Sequence, residues 1–171
     1  MSSRSIKLLN MAGQAALNGK EKNSQMSFTH GAIISKGGKK VCEGYNHKRS
    51  YSKGKLQCSF HAEIDVINKW ESIFIKGKEQ RDFLYIRKKA KKFNIYVVRL
   101  RKSCSHFVES TPCNECSKTI KKYGFKNIYY SNADGSFEKV KVKYLTSIHN
   151  SYAQQTINNL ISPKNRFNNT R

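Results

Sequence analysis

Acidic residues are scarce in this chain. Eleven Asp and Glu stand against 33 Lys and Arg in 171 residues, a formal net charge of +22. Lys, Asn, Ile and Tyr are abundant, which fits an AT-rich genome, a viral one included. Such coding would raise Glu as well, so the positive excess is a property of the protein. It favours polyanionic partners: nucleic acid, nucleotides or an anionic surface. No apolar run approaches the ~20 residues of a membrane span, so no membrane partner is expected. Met1 to Gly19 lacks the apolar stretch and small-residue cleavage site of a secretory signal. An intracellular protein, cytoplasmic or nuclear, is therefore expected. Five cysteines, an odd number, argue against a disulfide framework. Only Pro112 and Pro163 are prolines, and no linker or internal repeat interrupts the chain. A single domain over residues 1–162 is expected, with a basic insert near 75–92 and a disordered tail at 163–171.

Hydrophobic content is 37%, and a chain of this length can bury a core without disulfides. Arg4 to Asn18 has helical spacing, with Ser2 or Ser3 as cap and Gly19 as stop. Ser27–Ser35 and Lys39–Tyr45 alternate around Gly37-Gly38, which predicts a β-hairpin. Asn46 to Ser59 reads as a polar, basic loop, and His61 to Phe74 as a helix. Phe93 to Leu100 is nearly continuous in apolar residues, the pattern of a buried strand. Arg101 to Thr111 reads as a loop. Pro112 to Tyr123 is a helix with Pro at its start and Gly124 at its end. Lys126–Ser131 and Glu138–Leu145 read as strands joined by an Asn132–Gly135 turn. A further helix is expected after Thr146. The insert contains Arg87-Lys88-Lys89-Ala90-Lys91-Lys92, which serves equally as a solvated helix face or as an electrostatic arm for phosphates.

Two short motifs carry chemistry. His61-Ala62-Glu63 opens one predicted helix, and Pro112-Cys113-Asn114-Glu115-Cys116 opens another. One His and two Cys are three good zinc ligands and leave a fourth position open for water, as in a catalytic site. Cys113 and Cys116 are three apart and share a helix face. The positive end of that helix favours their thiolate forms. Glu63 is not needed as a ligand; a carboxylate beside a metal-held water can accept its proton and hand it on. Taken singly, each motif has a plainer meaning: a C-x-x-C can be a redox pair or part of a structural zinc site, and an H-x-E can be a helix start. Their joint occurrence, in this order and each at a helix start, matches the H-x-E…P-C-x-x-C signature of zinc nucleobase deaminases. Cys42, Cys58 and Cys104 read as small buried or loop residues. The Tyr129-Tyr130 pair reads as sheet packing. His47 and His106 lie in loops expected to border the pocket.

Phe60-His61-Ala62-Glu63 and Thr111-Pro112-Cys113-Asn114-Glu115-Cys116 resemble the two zinc motifs of the cytidine deaminase superfamily. Pro-Cys-Asn-Glu-Cys followed by Lys118 and Ile120 is similar to deoxycytidylate deaminases, and Gly44-Tyr45-Asn46 resembles their substrate loop. The resemblance runs from about Ser27 to Ser131. It implies an α/β fold, a three-layer α/β/α sandwich with a mixed five-stranded sheet, and one catalytic Zn2+ on His61, Cys113 and Cys116. It implies Glu63 as proton shuttle, with the Ala62 N–H on the base carbonyl and Asn46 on the sugar or base edge. Lys48 and Arg49 are expected at the phosphate of a cytosine nucleotide, with Lys53 and Lys55 near by. Relatives commonly form homo-oligomers. The chain departs from deoxycytidylate deaminases after Asn46, where His47-Lys48-Arg49 follows. It departs again after Ser131, where the gap to Glu138 is too short for a helical crossover and predicts an antiparallel hairpin. Deamination within RNA or single-stranded DNA is the alternative function, and a zinc protein that binds nucleic acid without catalysis is a third.

Overall fold

A computed structural model describes residues 1–22, 28–48, 51–52, 55–56, 60–75, 83–101, 106–147 and 149–161. The expected tail at 163–171 and the candidate residue Arg49 lie outside them, as do Lys53, Cys58 and Cys104. The first helix, α1, spans Ser3–Lys22. Ser2 caps it, its hydroxyl accepting the Ser5 N–H at 3.3 Å. Strands β1 (Thr29–Lys36) and β2 (Lys39–Tyr45) form the hairpin expected from the sequence. Both turn residues, Gly37 and Gly38, have positive φ, 57° and 78°, which is why two glycines stand there. A two-residue pair, β3 (Tyr51–Ser52) and β4 (Lys55–Leu56), lies within the expected 46–59 loop. Helix α2 is Ala62–Phe74 and α3 is Phe83–Ala90. Strands β5 (Phe93–Leu100) and β6 (Phe107–Val108) precede α4 (Asn114–Tyr123). Strands β7 (Asn127–Ser131) and β8 (Phe137–Lys141) follow, then α5 (Tyr152–Ile161).

The sheet runs β2-β1-β5-β7-β8, with β6 also on β5. Only β5 and β7 are parallel; the other pairings are antiparallel. The sheet is therefore mixed, and the β7–β8 connection is the expected antiparallel hairpin. Alternation divides the core between two faces. Ile33, Tyr96, Val98 and Tyr129 pack with Leu8, Leu9 and Ala12 of α1. Ala32, Ile34, Ile95, Val97, Ile128 and Tyr130 face the other side, with residues of α2 and α4. Tyr129 and Tyr130 thus serve opposite faces, and Tyr129 stacks on Tyr96 at 4.3 Å. On the α2 side, fully buried Trp70 contacts the rings of Phe74, Phe93, Tyr123 and Phe125. Helices cover both faces, which gives the three expected layers.

Several elements differ from expectation, and one is the start of α4: Pro112 lies outside the helix, which begins at Asn114 with Cys113 as its N-cap. Gly19 does not stop α1, which runs on to Lys22. Gly19 is buried where the Tyr45 ring crosses the helix, and a Cβ there would lie 2.6 Å from that side chain. The glycine answers a close approach rather than a left-handed cap. The strand expected over Glu138–Leu145 ends at Lys141 and turns into a 3₁₀ segment, Val142–Tyr144. Val142 and Leu145 are both buried. Three apart, they would point to opposite faces of a strand but share a side in a helical turn. The expected loop at 101–111 contains β6, a sixth strand. β1 pairs with β5 along its whole length, so β6 takes the edge that β7 leaves after Val97.

Helix α1 sits close on β1 because Gly31 has no side chain. A Cβ at Gly31 would collide with the Ala12 carbonyl and lie 2.5 Å from the Ala16 nitrogen. Gly31→Val is expected to destabilise the fold by about 1–3 kcal/mol, the usual cost of forced overpacking. A urea titration would show a lower midpoint at unchanged slope; an unmoved midpoint would mean that α1 is not held by this approach.

Candidate metal centre

The start of α2 is fixed from β2. Gly44 lets the helix backbone approach: a Cβ there would lie 2.6 Å from the Val66 nitrogen and 3.0 Å from the Ala62 oxygen. Asp65, in the first turn, accepts the Tyr45 N–H at 3.2 Å and the Lys69 ammonium at 2.8 Å. Its other oxygen lies 3.5 Å from His47 Nε2. His47 and Phe60 exchange backbone hydrogen bonds at 3.0 and 3.1 Å, and their rings stack at 4.9 Å. This bridge delivers the next residue, His61, to the N-cap position of α2.

The start of α4 is fixed from the sheet. Ser110, buried, donates to the Val97 carbonyl at 3.0 Å, and its oxygen accepts the Ser131 N–H at 2.9 Å. The Ser110 N–H donates to the Ser131 carbonyl at 2.8 Å. This knot ties the ends of β5 and β7 and holds the segment that leads into Pro112 and Cys113. Cys113 is the N-cap of α4, and Gly124 closes that helix in the left-handed conformation.

His61, Cys113 and Cys116 meet where the two helices begin, their ligand atoms all within 4.8 Å of one another. His61 Nδ1 lies 3.5 Å from Cys113 Sγ and 3.3 Å from Cys116 Sγ. A tetrahedral zinc, with bonds of ~2.3 Å to sulfur and ~2.0 Å to nitrogen, sets such ligand atoms about 3.5 Å apart. Donor types and spacing therefore fit zinc. Neither N-cap side chain makes a capping hydrogen bond. Part of that deficit is met elsewhere: the Asn114 N–H donates to the His149 carbonyl at 2.7 Å. Ala62, at the first helical position, is buried, and its N–H has no acceptor among the described residues. Glu63 follows, 5% exposed. Burial raises its carboxyl pKa, the nearby His61 opposes that rise, and the carboxyl is within hydrogen-bond reach of Cys116.

The remaining expected residues fall around this cluster. Asn46 is buried, its side chain clamped between the His30 N–H and the Phe28 carbonyl, each at 2.8 Å. That use leaves one amide hydrogen and one lone pair of Asn46. Lys48 is exposed beside it, and His106 is exposed at the entry to β6. Cys42 lies apart, donating to the Val66 carbonyl at 3.7 Å, and burial pushes its thiol up to about 12. Two residues had no signal in the sequence. His30 is on the cluster's side of β1 and is held neutral, its pKa lowered to about 3 by burial and by the charges of Arg99 and His61. Arg99, its partner on β5, stacks on Phe28 at 3.8 Å, and its buried Nε has no partner among the described residues. Neither sits in a recognisable spacing, so only the strand register brings them here.

A sequence model described as the cytidine and deoxycytidylate deaminase zinc-binding region matches residues 2–132. No curated protein matches the chain. Solved structures that are similar include the dCMP deaminase of the cyanophage S-TIM5. Its apo form is 20% identical over 79% of this chain and 89% of that one, with a TM-score of 0.45. Its complex with dCMP and dUMP is 21% identical over 79% and 89%, with a TM-score of 0.42. RibD of Acinetobacter baumannii, form 1, is 16% identical over 75% of this chain and 28% of that one, with a TM-score of 0.46.

Without metal, the three ligands share protons unevenly. The hydrogen bond to Cys113 raises His61 to about 9 against the opposing effect of burial. Hydrogen bonding from Cys116 and His61 lowers Cys113 to about 4. The bond to Cys113, then burial, pushes Cys116 well above an ordinary thiol. At pH 7 His61 and Cys116 therefore carry protons that metal binding must displace, while Cys113 is already a thiolate. Zinc affinity should fall as pH drops from 9 to 7, with about two protons released per ion. Calorimetry in two buffers of different ionisation enthalpy measures that number, and a value near zero would refute the assignment of these ligands.

Proposed function

Because the chain belongs to the cytidine and deoxycytidylate deaminase family, we propose that it hydrolyses a cytosine nucleotide of the dCMP or CMP type to the uracil form and ammonia. The observation that carries this reading is the meeting of His61, Cys113 and Cys116 with a buried carboxylate on the same helix start as the His. Zinc on these three ligands would supply a water ionised at neutral pH, since the ion lowers the pKa of a bound water to ~7. The chain's own groups do the rest. Glu63 accepts a proton from the attacking water as its oxygen adds to C4 of the base. The carboxyl then protonates N3, takes up the remaining proton of the added hydroxyl as the C4 carbonyl forms, and delivers that proton to the departing amine, acting as base and acid in turn. Its burial suits these tasks, because the raised pKa makes the carboxylate a stronger proton acceptor.

The Ala62 N–H is assigned to the base carbonyl: Ala62 is buried at the positive end of a helix, and its N–H has no acceptor among the described residues. Asn46 offers its remaining amide hydrogen and lone pair to the sugar or base edge. Arg99 is assigned to the phosphate together with Lys48, because its buried Nε has no partner among the described residues and its guanidinium lies 3.8 Å from the Phe28 ring. The +22 charge favours a second reading, deamination of cytosine or adenine within RNA or single-stranded DNA.

Ammonia release by the zinc-loaded protein with dCMP tests the first reading. Glu63→Gln should keep its zinc and lose at least ~10²-fold in turnover, the range of general acid–base catalysis. Undiminished turnover in that variant would remove Glu63 from the mechanism. No turnover on dCMP by the parent protein, with activity on an oligonucleotide, would select the second reading. Arg99→Leu should raise KM for dCMP at least tenfold, about 1.4 kcal/mol, and leave the KM for cytidine in place. An equal rise for both would show that Arg99 does not hold the phosphate.

A further inference from the structure

The sheet has one end where every long strand presents a lysine. Lys36 closes β1 opposite Lys39 at the start of β2. Lys36 also pairs with Phe93, the first residue of β5, which follows Lys92. The Lys126 N–H donates to the Phe93 carbonyl at 2.9 Å, which sets the entry of β7 beside the entry of β5. Asn127, the next residue, pairs with Lys141, the last residue of β8. The antiparallel and parallel pairings together bring Lys36, Lys39, Lys92, Lys126 and Lys141 to the same end, and all five are exposed. With strands ~4.8 Å apart, the row is roughly 19 Å long. Arg4, whose side chain lies over Gly38, and Arg87, against Gly124, flank the row from the two helical layers.

Most acids of the described residues are placed otherwise: Glu63, Asp65, Glu109 and Glu115 belong to the segments around the metal cluster, and Asp134 and Glu138 to the β7–β8 turn at that same end, while Glu71 stands farther along α2. Glu43 is already paired with Lys40 at 2.6 Å. Five like charges in a row repel one another, and the fold supplies no acidic partner to any of the five among the described residues. All five are exposed; Lys36 alone has an aromatic contact, its Nζ 5.7 Å from the centroid of the Phe93 ring. Such a row fits a ligand that brings negative charges in a line.

We propose that this lysine row is a binding site for the phosphate backbone of a single-stranded nucleic acid. A linear polyanion matches a row better than the plane of an anionic membrane does. Phosphate contacts of this kind need no base recognition and hold a strand without regard to sequence. The row is roughly 25 Å from the metal end, the length of β5 at ~3.3 Å per residue. It would therefore anchor a polymer rather than present a base to the cluster. The proposal stands apart from the assigned deamination and does not require it.

Fluorescence anisotropy of a labelled mixed-sequence 20-nucleotide DNA with the full-length, zinc-loaded protein tests this. Five phosphate contacts on a single strand predict that log K falls with log salt at a slope of about −3.5. The variant Lys92→Glu, Lys126→Glu, Lys141→Glu should lose at least about tenfold in affinity, and its slope should shrink by about 2. Its circular dichroism, zinc content and rate on dCMP should match the parent's. A second variant with the same change in net charge, Lys20→Glu, Arg101→Glu, Lys118→Glu, should keep most of the affinity. Equal losses in the two variants would show that only net charge matters and would overturn the site. Failure of the parent to bind the oligonucleotide would overturn it too. So would preferential binding to phosphatidylserine-containing vesicles, which would identify a lipid surface instead. Turnover on dCMP without oligonucleotide binding would sink this proposal alone, and the reverse result would sink only the assigned reaction.

Discussion

Two helices in this protein begin with a residue that does not cap them. An N-cap side chain normally accepts a hydrogen bond from the first turn, and serine, aspartate and asparagine are favoured there for that reason. Here the positions hold His61 and Cys113, whose side chains point at each other instead. The free N–H groups of the two first turns must then be satisfied from elsewhere, or left for a ligand. The Asn114 N–H takes the carbonyl of His149, so the chain after the last strand is drawn back to the cluster. The Ala62 N–H takes nothing from the described residues and keeps its donor. Much of the surrounding structure follows from holding two uncapped helix ends together. Gly44 and Asp65 bind one to β2, and Ser110 and Ser131 bind the other to β5 and β7.

Much of this was legible in the chain. β2 and β5 have the boundaries expected from alternation and from a continuous apolar run, because burial on one face or on two leaves a direct trace in residue order. The C-terminus of α4 was legible from Gly124, since a left-handed cap at φ 76° has one favoured residue. Gly19 misled because a glycine serves two physical purposes, positive φ and close approach, and residue order does not separate them. The early end of β8 has a similar origin: Val142 and Leu145 fit alternation loosely, and only the core they fill requires a turn. The H-x-E and P-C-x-x-C motifs foretold which three ligand atoms meet. Ser110, His30 and Arg99 were not visible, because their significance depends on strand register and on which edge of β5 is left open.

Register also explains how so strongly basic a chain tolerates its charge. Repulsion among lysines falls with distance and with screening, and ends of strands are the most solvated positions of a sheet. Several carboxylates stand at the other end, where Glu63 is buried and Asp65 ties β2 to its helix. A phosphorylated ligand approaching the metal end meets Arg99 and Lys48, and the lysine row lies at the opposite end of the sheet.

The outermost strands have a further consequence. Among the described residues, β2 and β8 each leave one row of backbone donors and acceptors without a neighbouring strand in the sheet, and such rows can template the addition of a strand from another molecule. Along β2 stand Lys39 and Lys40, and along β8 stand Lys139 and Lys141. A second copy adding its own β2 or β8 with Lys39 or Lys139 opposite its counterpart would bring lysine against lysine. The charges that line these strands therefore work against edge-to-edge stacking.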